Sequence, residues 1–476
     1  MPTSTPARRA APRRLRRAVA VSVATAVALL AGAACSGGKV TESAGIRLSS
    51  PTAASDSPTA TSSPTATDTA TAARLDAAIR QVMRTAGVPG VIAGLWREGQ
   101  PDYVRAFGIA DKQTSAPMAT DLHMRIGSET KTFTVTGILQ LVDRGELGLD
   151  DPVSRYVSGV PDGDRITLRQ LAGMQSGLYD YTQDPDFVAA LEADPERVFT
   201  TQELLDYSFR HPLAFAPGTR LVYCDTNTVL LGRVLEEVSG QSLADYFRDH
   251  VLGPLEMNAT LYPTNARIPE PYAHGYTTQT PNGEETDATN WSPSDANAAG
   301  AMISDLEDLR TWAPVVATGV PLIEPATQRQ RLRTATSPDF PGAAYGLGLF
   351  TAQGWIGHNG SIPGYQSLTL YLPAEKATLV VLLNSDTPYQ GTDPSTLLGT
   401  AITTVATPDH VFRLGPATGA SPSGSGTVSP SGSGTASPGG SATASPTGPG
   451  TPFPSRSGRP PSRAPGGTRG RGWRRW

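Results

Sequence analysis

Apolar residues recur at helix-like or strand-like spacing only between about residues 74 and 406. At the start of this stretch, Leu75, Ile79, Val82 and Met83 share one helical face and predict a helix. Runs rich in β-branched and aromatic residues then predict strands near both ends of the stretch. The predicted strands cover 90–96, 102–108, 355–358, 365–372 and 378–383, and the predicted helices cover 128–144, segments of 167–255, and 395–405.

This arrangement predicts two lobes. Strands at both ends, with helices between them, indicate one sheet that is completed by distant parts of the chain. The helical middle is then expected to form a second lobe. The stretch is long enough to bury a large core, and a cleft between two such lobes is the natural place for a ligand.

The first 34 residues predict an export signal. Six arginines and no acidic residue precede an apolar run over 18–34 that is rich in alanine and valine. A basic segment followed by a short apolar run is typical of a signal peptide. The run is shorter than the roughly 20 residues that a membrane-spanning helix needs, so we expect an exported protein with the signal peptide at 1–34.

Cys35 leaves two modes of export open. The sequence Gly32-Ala33-Ala34-Cys35 is similar to a bacterial lipobox, which predicts lipidation of Cys35 and a lipid anchor on the outer face of the cell membrane. Gly32 departs from the aliphatic residue usual at the first lipobox position. Cleavage after Ala33 by ordinary signal peptidase would instead give a secreted, extracellular protein.

Two low-complexity segments flank the predicted domain at 74–406. Residues 35–73 are mostly Ser, Thr, Ala and Pro, and residues 407–476 are rich in Gly, Ser and Pro, so both are predicted to be disordered. The tail at 407–476 carries a net charge of +7, whereas 74–406 carries −16. An acidic body argues against a nucleic-acid partner, and the basic tail is expected to be a solvated extension or to contact an anionic surface.

The strongest chemical signal is Ser128-Glu129-Thr130-Lys131, at the predicted start of a helix. Residues three apart share a helical face, and an amine with a lowered pKa can take the proton of a serine nucleophile. Only four of the 39 basic residues are lysine, and arginine cannot serve as a base. A second S-x-x-K match, at Ser36, falls in the predicted linker and is not expected to be catalytic.

Two further motifs follow in order along the chain. Tyr223-Cys224-Asp225 precedes a predicted helix, and His358-Asn359-Gly360-Ser361 ends a predicted strand. With the Ser128 motif, they resemble the penicillin-recognising serine hydrolases, which include class C β-lactamases, D-alanyl-D-alanine carboxypeptidases and related esterases. The resemblance spans about 75–406. It implies an α/β (α+β) fold of the β-lactamase/transpeptidase type, with an antiparallel sheet flanked by helices and an inserted all-helical lobe.

The resemblance also implies roles for the motif residues. Ser128 would be the nucleophile that forms an acyl-enzyme. Lys131 would lie against Ser128 and Tyr223, and whether Lys131 or Tyr223 takes the serine proton stays open. We expect a cationic neighbour and a dry cleft to bring the pKa of Tyr223 into working range. The backbone N–H groups of Ser128 and Ser361 would bind the oxyanion.

The remaining motif positions bear on the substrate. Gly360 would let the substrate approach the strand closely. His358 stands where many relatives carry lysine and would offer a weaker positive charge or a hydrogen-bond donor. Asp225 replaces a commoner asparagine and is expected to pair with Lys131. Asn359 replaces a common threonine, and Phe350 stands where some carboxypeptidases place arginine, so recognition of a substrate carboxylate is in doubt.

The other histidines show no ligand spacing, so neither a metal nor a cofactor is expected. Cys224 is interpreted as a small filler because no histidine partner is indicated for it. These residues therefore add no second chemistry to the predicted serine site.

We predict an exported serine hydrolase, most simply a monomer with D-alanyl-D-alanine carboxypeptidase-like activity on cell-wall peptides. A β-lactamase or a carboxylesterase would use the same machinery, with a small molecule as substrate. A non-enzymatic alternative is a penicillin-binding sensor or wall-binding module.

Overall fold

The computed structural model describes residues 66–338 and 341–415. The helices are α1 Ala66–Ala86, α2 Thr130–Asp143, α3 Leu168–Ala172, α4 Pro185–Ala193, α5 Thr201–Phe209, α6 Asp225–Ser239, α7 Leu243–Phe247, α8 Asn297–Gly300, α9 Leu306–Thr318, α10 Pro325–Arg331 and α11 Pro394–Ala406. The strands are β1 Gly90–Trp96, β2 Tyr103–Asp111, β3 Ala116–Pro117, β4 Met124–Arg125, β5 Tyr276–Thr277, β6 Thr286–Asp287, β7 Ile303–Ser304, β8 Ala335–Thr336, β9 Ala344–Tyr345, β10 Phe350–Ala352, β11 Trp355–Ile362, β12 Tyr365–Leu372 and β13 Ala377–Leu383.

A nine-stranded antiparallel sheet joins the two ends of the described chain. Its strand order is β3-β2-β1-β13-β12-β11-β10-β9-β8. At its centre β1 pairs with β13, so that Ile92 lies opposite Leu382. Every residue of β13 is buried, as expected for a central strand covered on both faces. This confirms the predicted sheet, which distant parts of the chain complete.

Helices cover both faces of the sheet. On one face, Leu75 and Ile79 of α1 share a buried cluster with Leu398 and Ile402 of α11 and with alternate residues of the central strands. The opposite face, which includes Ile92, packs against α2, α9 and the helices that follow α2. The successive residues of each strand thus enter two different cores because strand side chains alternate between faces.

Helix α2 lies inside the molecule, because twelve of its fourteen residues, Thr130 to Leu141, are buried. The ring of Phe133 stacks on Trp312 of α9 with centroids 4.0 Å apart. A helix that is buried all round is not amphipathic, which is why its spacing alone did not show which side faces the cleft. Among the described residues, no helix is both long and apolar enough to cross a membrane.

The described structure continues beyond both ends of the predicted stretch 74–406. Helix α1 begins at Ala66, within the linker predicted at 35–73, because no Pro or Gly follows Pro64 there and four of residues 66–73 are alanine. At the other end, Phe412 is fully buried and stacks on Phe350 with centroids 6.1 Å apart, although the tail was predicted from 407. The predicted signal peptide, Cys35 and the rest of the linker and tail lie outside the described residues.

Candidate active site

Ser128 occupies a tight turn that leads directly into α2. The turn is a single 3-10 helix, Gly127–Glu129, and Ser128 is 4% exposed. Gly127 has φ +50°, and a Cβ placed on it would lie 2.6 Å from the backbone nitrogen of Ser361. Only glycine combines this left-handed backbone with such a close approach. The turn therefore sets Ser128 against β11, beside the residue predicted to share its oxyanion site.

Lys131 is held by three acceptors. Its side chain is fully buried, and Nζ donates to Ser128 Oγ at 2.9 Å and to the Ala299 carbonyl at 2.8 Å. Asp225 Oδ1 lies 2.6 Å from the same nitrogen. Within the described residues Asp225 Oδ1 completes no hydrogen bond, so this third contact is an ion pair. The structure thus forms the predicted Lys131–Asp225 ion pair.

Tyr223 completes the group around Ser128. Lys131 Nζ, which donates to Ser128 Oγ, lies 4.9 Å from the centre of the Tyr223 ring. Burial, together with the charge of Asp225, raises the pKa of Tyr223 well above its ordinary value. The expected lowering of this pKa is therefore wrong, and Tyr223 rests as a neutral phenol.

Asp180 is an acidic residue near the site that the sequence analysis missed. Tyr181 N donates to Thr226 Oγ1 at 3.1 Å, and Thr226 Oγ1 donates to the Tyr179 carbonyl at 2.8 Å, which fixes the Asp180 loop against the start of α6. Burial and the charge of Asp225 raise the pKa of Asp180 to about 7. No spacing motif in the sequence pointed to Asp180, because its place at the site depends on the fold of its loop.

His358 is neutral in this structure. Burial, and secondarily the charge of Lys131, lower its pKa to about 3. Its Nδ1 lies 2.5 Å from the Asn359 carbonyl, which makes Nδ1 the donor, and Nε2 then accepts from Tyr345 Oη at 3.2 Å. The predicted weak positive charge is therefore wrong, and both ring nitrogens already have protein partners.

Gly360 serves the packing of the chain on itself. A Cβ at this position would lie 1.9 Å from the Ile126 carbonyl oxygen, so the space above Gly360 is filled by the segment that leads to Ser128. Approach of a substrate along the strand at Gly360 stays a prediction. The glycine brings β11 and the nucleophile turn together.

The other predicted positions on β11 and nearby differ in their surroundings. Asn359 pairs in register with Leu368 and His358 with Thr369, so the side chains of Asn359 and His358 lie on opposite faces of the sheet. The ring of Phe350 is buried, 5.5 Å from His358. Phe350 therefore belongs to the core beneath the site and presents no polar group to a substrate.

The comparisons with known proteins agree with this geometry. A model of the beta-lactamase family matches residues 75–399. The chain belongs to the beta-lactamase family. This confirms the predicted resemblance and the predicted fold class, and it makes the protein a member of a family of serine hydrolases.

Several proteins similar to this chain have names that specify the D configuration. A D-aminopeptidase from Cereibacter sphaeroides is 27% identical over 326 residues, which cover 66% of this chain and 60% of the relative. A D-stereospecific amidohydrolase from Streptomyces sp. is 33% identical with a TM-score of 0.60, covering 65% of this chain and 94% of that one. A D-amino acid amidase from Ochrobactrum anthropi SV3, complexed with D-phenylalanine, is 26% identical with a TM-score of 0.63, covering 70% and 98%. The chain thus spans about 60% of the length of the curated D-aminopeptidase.

The described part of this beta-lactamase-family chain contains neither a reactive cysteine nor a cluster of metal-binding side chains. Cys224 is buried with its Sγ 3.5 Å from the Leu178 carbonyl, and burial raises the pKa of its thiol well above the ordinary value. Within 66–338 and 341–415, no cluster of three or more His, Cys, Asp or Glu side chains could hold a metal ion.

The contact at Gly360 yields a direct prediction. Gly360→Ala places a methyl group against the Ile126 carbonyl, so we expect it to lower the free energy of unfolding by about 3 kcal/mol. Because the displaced segment leads to Ser128, hydrolase activity should also fall at least tenfold. Chemical denaturation and initial-rate assays measure the two effects.

Gly145→Ala is the matched control for this change. Gly145 has φ +71°, and no atom lies within 4 Å of the position that a Cβ would take. The added methyl therefore strains only the backbone and should cost about 1 kcal/mol. Equal losses of stability for the two variants, or full activity of Gly360→Ala, would contradict the close packing of β11 on the nucleophile turn.

Proposed function

We propose that this protein hydrolyses amides of D-amino acids, or short peptides that begin with one, when the amino group is free. The observation that carries the proposal is the charge around Ser128. Two carboxyl groups, Asp180 and Asp225, approach a single buried cation, Lys131. A substrate with an ammonium group beside the scissile carbonyl would balance the second carboxylate.

The relatives support the same class of substrate. The D-aminopeptidase, the D-stereospecific amidohydrolase and the D-amino acid amidase described above all have names that specify the D configuration, and two of them name an amidohydrolase or an amidase. Their names favour an amide whose acyl part is the D-amino acid. They do not by themselves fix the side chain that this chain prefers.

The chemistry follows from the contacts of Ser128. Its Oγ attacks the substrate carbonyl and gives up its proton. Because Lys131 rests as an ammonium and Tyr223 as a neutral phenol, one of the two must first release a proton before it can take the proton of Ser128. As the C–N bond breaks, a proton goes to the leaving nitrogen and an ester to Ser128 remains. Water then attacks this ester, which releases the D-amino acid and returns a proton to Ser128.

The carboxypeptidase activity predicted from the sequence has less support at this site. A carboxypeptidase must bind the carboxylate at the end of its substrate, but His358 is neutral and Phe350 is buried in the core. The charge of Lys131 is already balanced by Asp225. Carboxypeptidase, β-lactamase and esterase activities stay predictions that the same experiment tests.

A substrate panel tests the proposal. The full chain is assayed with D- and L-phenylalanine amide, an N-acylated peptide ending in D-alanyl-D-alanine, a penicillin and a p-nitrophenyl ester. We expect kcat/KM for D-phenylalanine amide to exceed that for its L-isomer and for the D-alanyl peptide at least tenfold. Ser128→Ala is the control and should lower kcat by about 10⁴-fold or more.

Other outcomes of the panel contradict the proposal in distinct ways. Faster release of the terminal D-alanine would identify a carboxypeptidase, and rapid turnover of the penicillin would identify a β-lactamase. Cleavage of the ester alone would identify an esterase. A stable penicillin adduct without turnover of any substrate would support the non-enzymatic alternative, a penicillin-binding sensor.

Asp180 gives a second prediction, because its pKa of about 7 lies close to neutral pH. Above pH 7 the carboxylate can attract a substrate ammonium, and below it the neutral acid cannot. Asp180→Asn should therefore lower the ratio of D-phenylalanine amide activity to p-nitrophenyl ester activity about tenfold at pH 8, mainly through KM. The ratio measured for the unmodified protein should fall toward that of the variant at pH 5.5. An unchanged ratio at pH 8 would rule out this role for Asp180.

A further inference from the structure

Glu129 is a buried carboxyl group directly beside the nucleophile. It is the last residue of the turn Gly127–Glu129 and is 1% exposed. The polar groups that face its carboxyl are the hydroxyls of Ser367 and Thr369 on β12. Within the described residues, neither carboxyl oxygen completes a hydrogen bond. Neither the proposed catalytic steps nor the proposed recognition of substrate uses this residue.

The surroundings of Glu129 favour its neutral form. The elements packed against its turn are α2, α8, β11 and β12, and among these α8 carries no titratable group. The titratable groups on the other three are Lys131 and Asp143 of α2, His358 of β11, and Tyr365 and Tyr371 of β12. Lys131 is engaged by Ser128, Ala299 and Asp225, and His358 is neutral. Burial without a cationic partner raises the pKa of Glu129 to about 8.

Ser367 links the charge of Glu129 to the position of Ser128. The Ser367 hydroxyl donates to the Ile126 carbonyl at 2.8 Å, and this bond ties the start of the nucleophile turn to β12. A hydroxyl has one proton to donate. A neutral Glu129 leaves that proton with Ile126, whereas an ionised Glu129 would be a buried charge that needs donors and would compete for it.

We propose that Glu129 is a pH-sensitive positioning residue. While its carboxyl is neutral, Ser367 holds Ile126 and the turn keeps Ser128 in place for attack. When the carboxyl ionises, Ser367 turns toward it, Ile126 is released and Ser128 loses its position. This inference deepens the proposed function and rests on it only in that Ser128 is the nucleophile.

The test measures the reactivity of Ser128 without any natural substrate. The full chain is treated with a fluorophosphonate, whose phosphorus is attacked by Ser128 Oγ with loss of fluoride, and the rate of the mass increase is followed from pH 5.5 to 9.5. The unmodified protein should lose at least tenfold in rate above about pH 8. In Glu129→Gln the labelling rate below pH 7 should stay within about threefold of that of the unmodified protein. The loss of rate at high pH should vanish, or should begin at least one pH unit higher.

Three further variants make the result specific. Glu196→Gln, at an exposed position, is the matched control and should keep the unmodified profile. Ser367→Ala removes the hydroxyl for which the Ile126 carbonyl and an ionised Glu129 compete. The labelling rate of this variant should therefore be lower at every pH, but it should not fall further near pH 8. Glu129→Met, which cannot titrate, supplies the same comparison as Glu129→Gln if the latter unfolds, as judged by thermal unfolding.

The outcomes separate this inference from the proposed function. If the unmodified protein shows no loss of rate near pH 8, or if a folded Glu129→Gln or Glu129→Met keeps the loss at the same pH, the role of Glu129 is overturned while Ser128 remains the nucleophile. If Ser128 does not react at any pH, both the nucleophile and the role of Glu129 are overturned.

Discussion

The buried ammonium of Lys131 is the interaction on which the rest of the site depends. A charge without solvent is stable only if hydrogen bonds and an opposite charge replace its hydration. Here Ser128 Oγ, the Ala299 carbonyl and the Asp225 carboxylate do so. Because these groups belong to the turn before α2, to α8 and to the start of α6, one side chain fixes the meeting point of three elements that are distant in sequence.

A second constraint comes from the close packing of two backbone segments. Gly127 and Gly360 both lack the room for a side chain, because each faces the backbone of the other's segment. This contact sets the distance between Ser128 and Ser361 of β11, the two residues whose backbone N–H groups are the predicted oxyanion donors. The lysine cluster and the glycine contact therefore fix Ser128 from two sides, and Glu129 lies between them.

Local patterns in the sequence were sufficient to predict strands β1, β2, β12 and β13, the start of β11, helix α2 and the Ser128–Lys131 pair. Their periods and spacings depend on residues that are neighbours in the chain. The pairing of Asp225 with Lys131 was also predictable, since the two motifs are known to meet in such enzymes. The fold class followed from the order of the three motifs and was confirmed by the family match.

What the sequence could not predict depends on surroundings supplied by distant segments. The neutrality of His358 results from burial and from its contact with Tyr345, and the place of Asp180 results from its loop bonding to Thr226. The raised pKa of Tyr223 reflects the balance between burial and nearby charges. Desolvation and net charge at a site are properties of the folded molecule, so the substrate was harder to predict than the reaction.

The measurement that tests the central claim most directly is the location of the acyl group during turnover. The full chain is quenched with acid while it hydrolyses D-phenylalanine amide or the corresponding methyl ester, and its peptides are mapped by mass spectrometry. We predict a D-phenylalanyl group on Ser128 in the unmodified protein, and none on that peptide in Ser128→Ala. Turnover with the acyl group on another residue, or with undiminished activity in Ser128→Ala, would contradict the account.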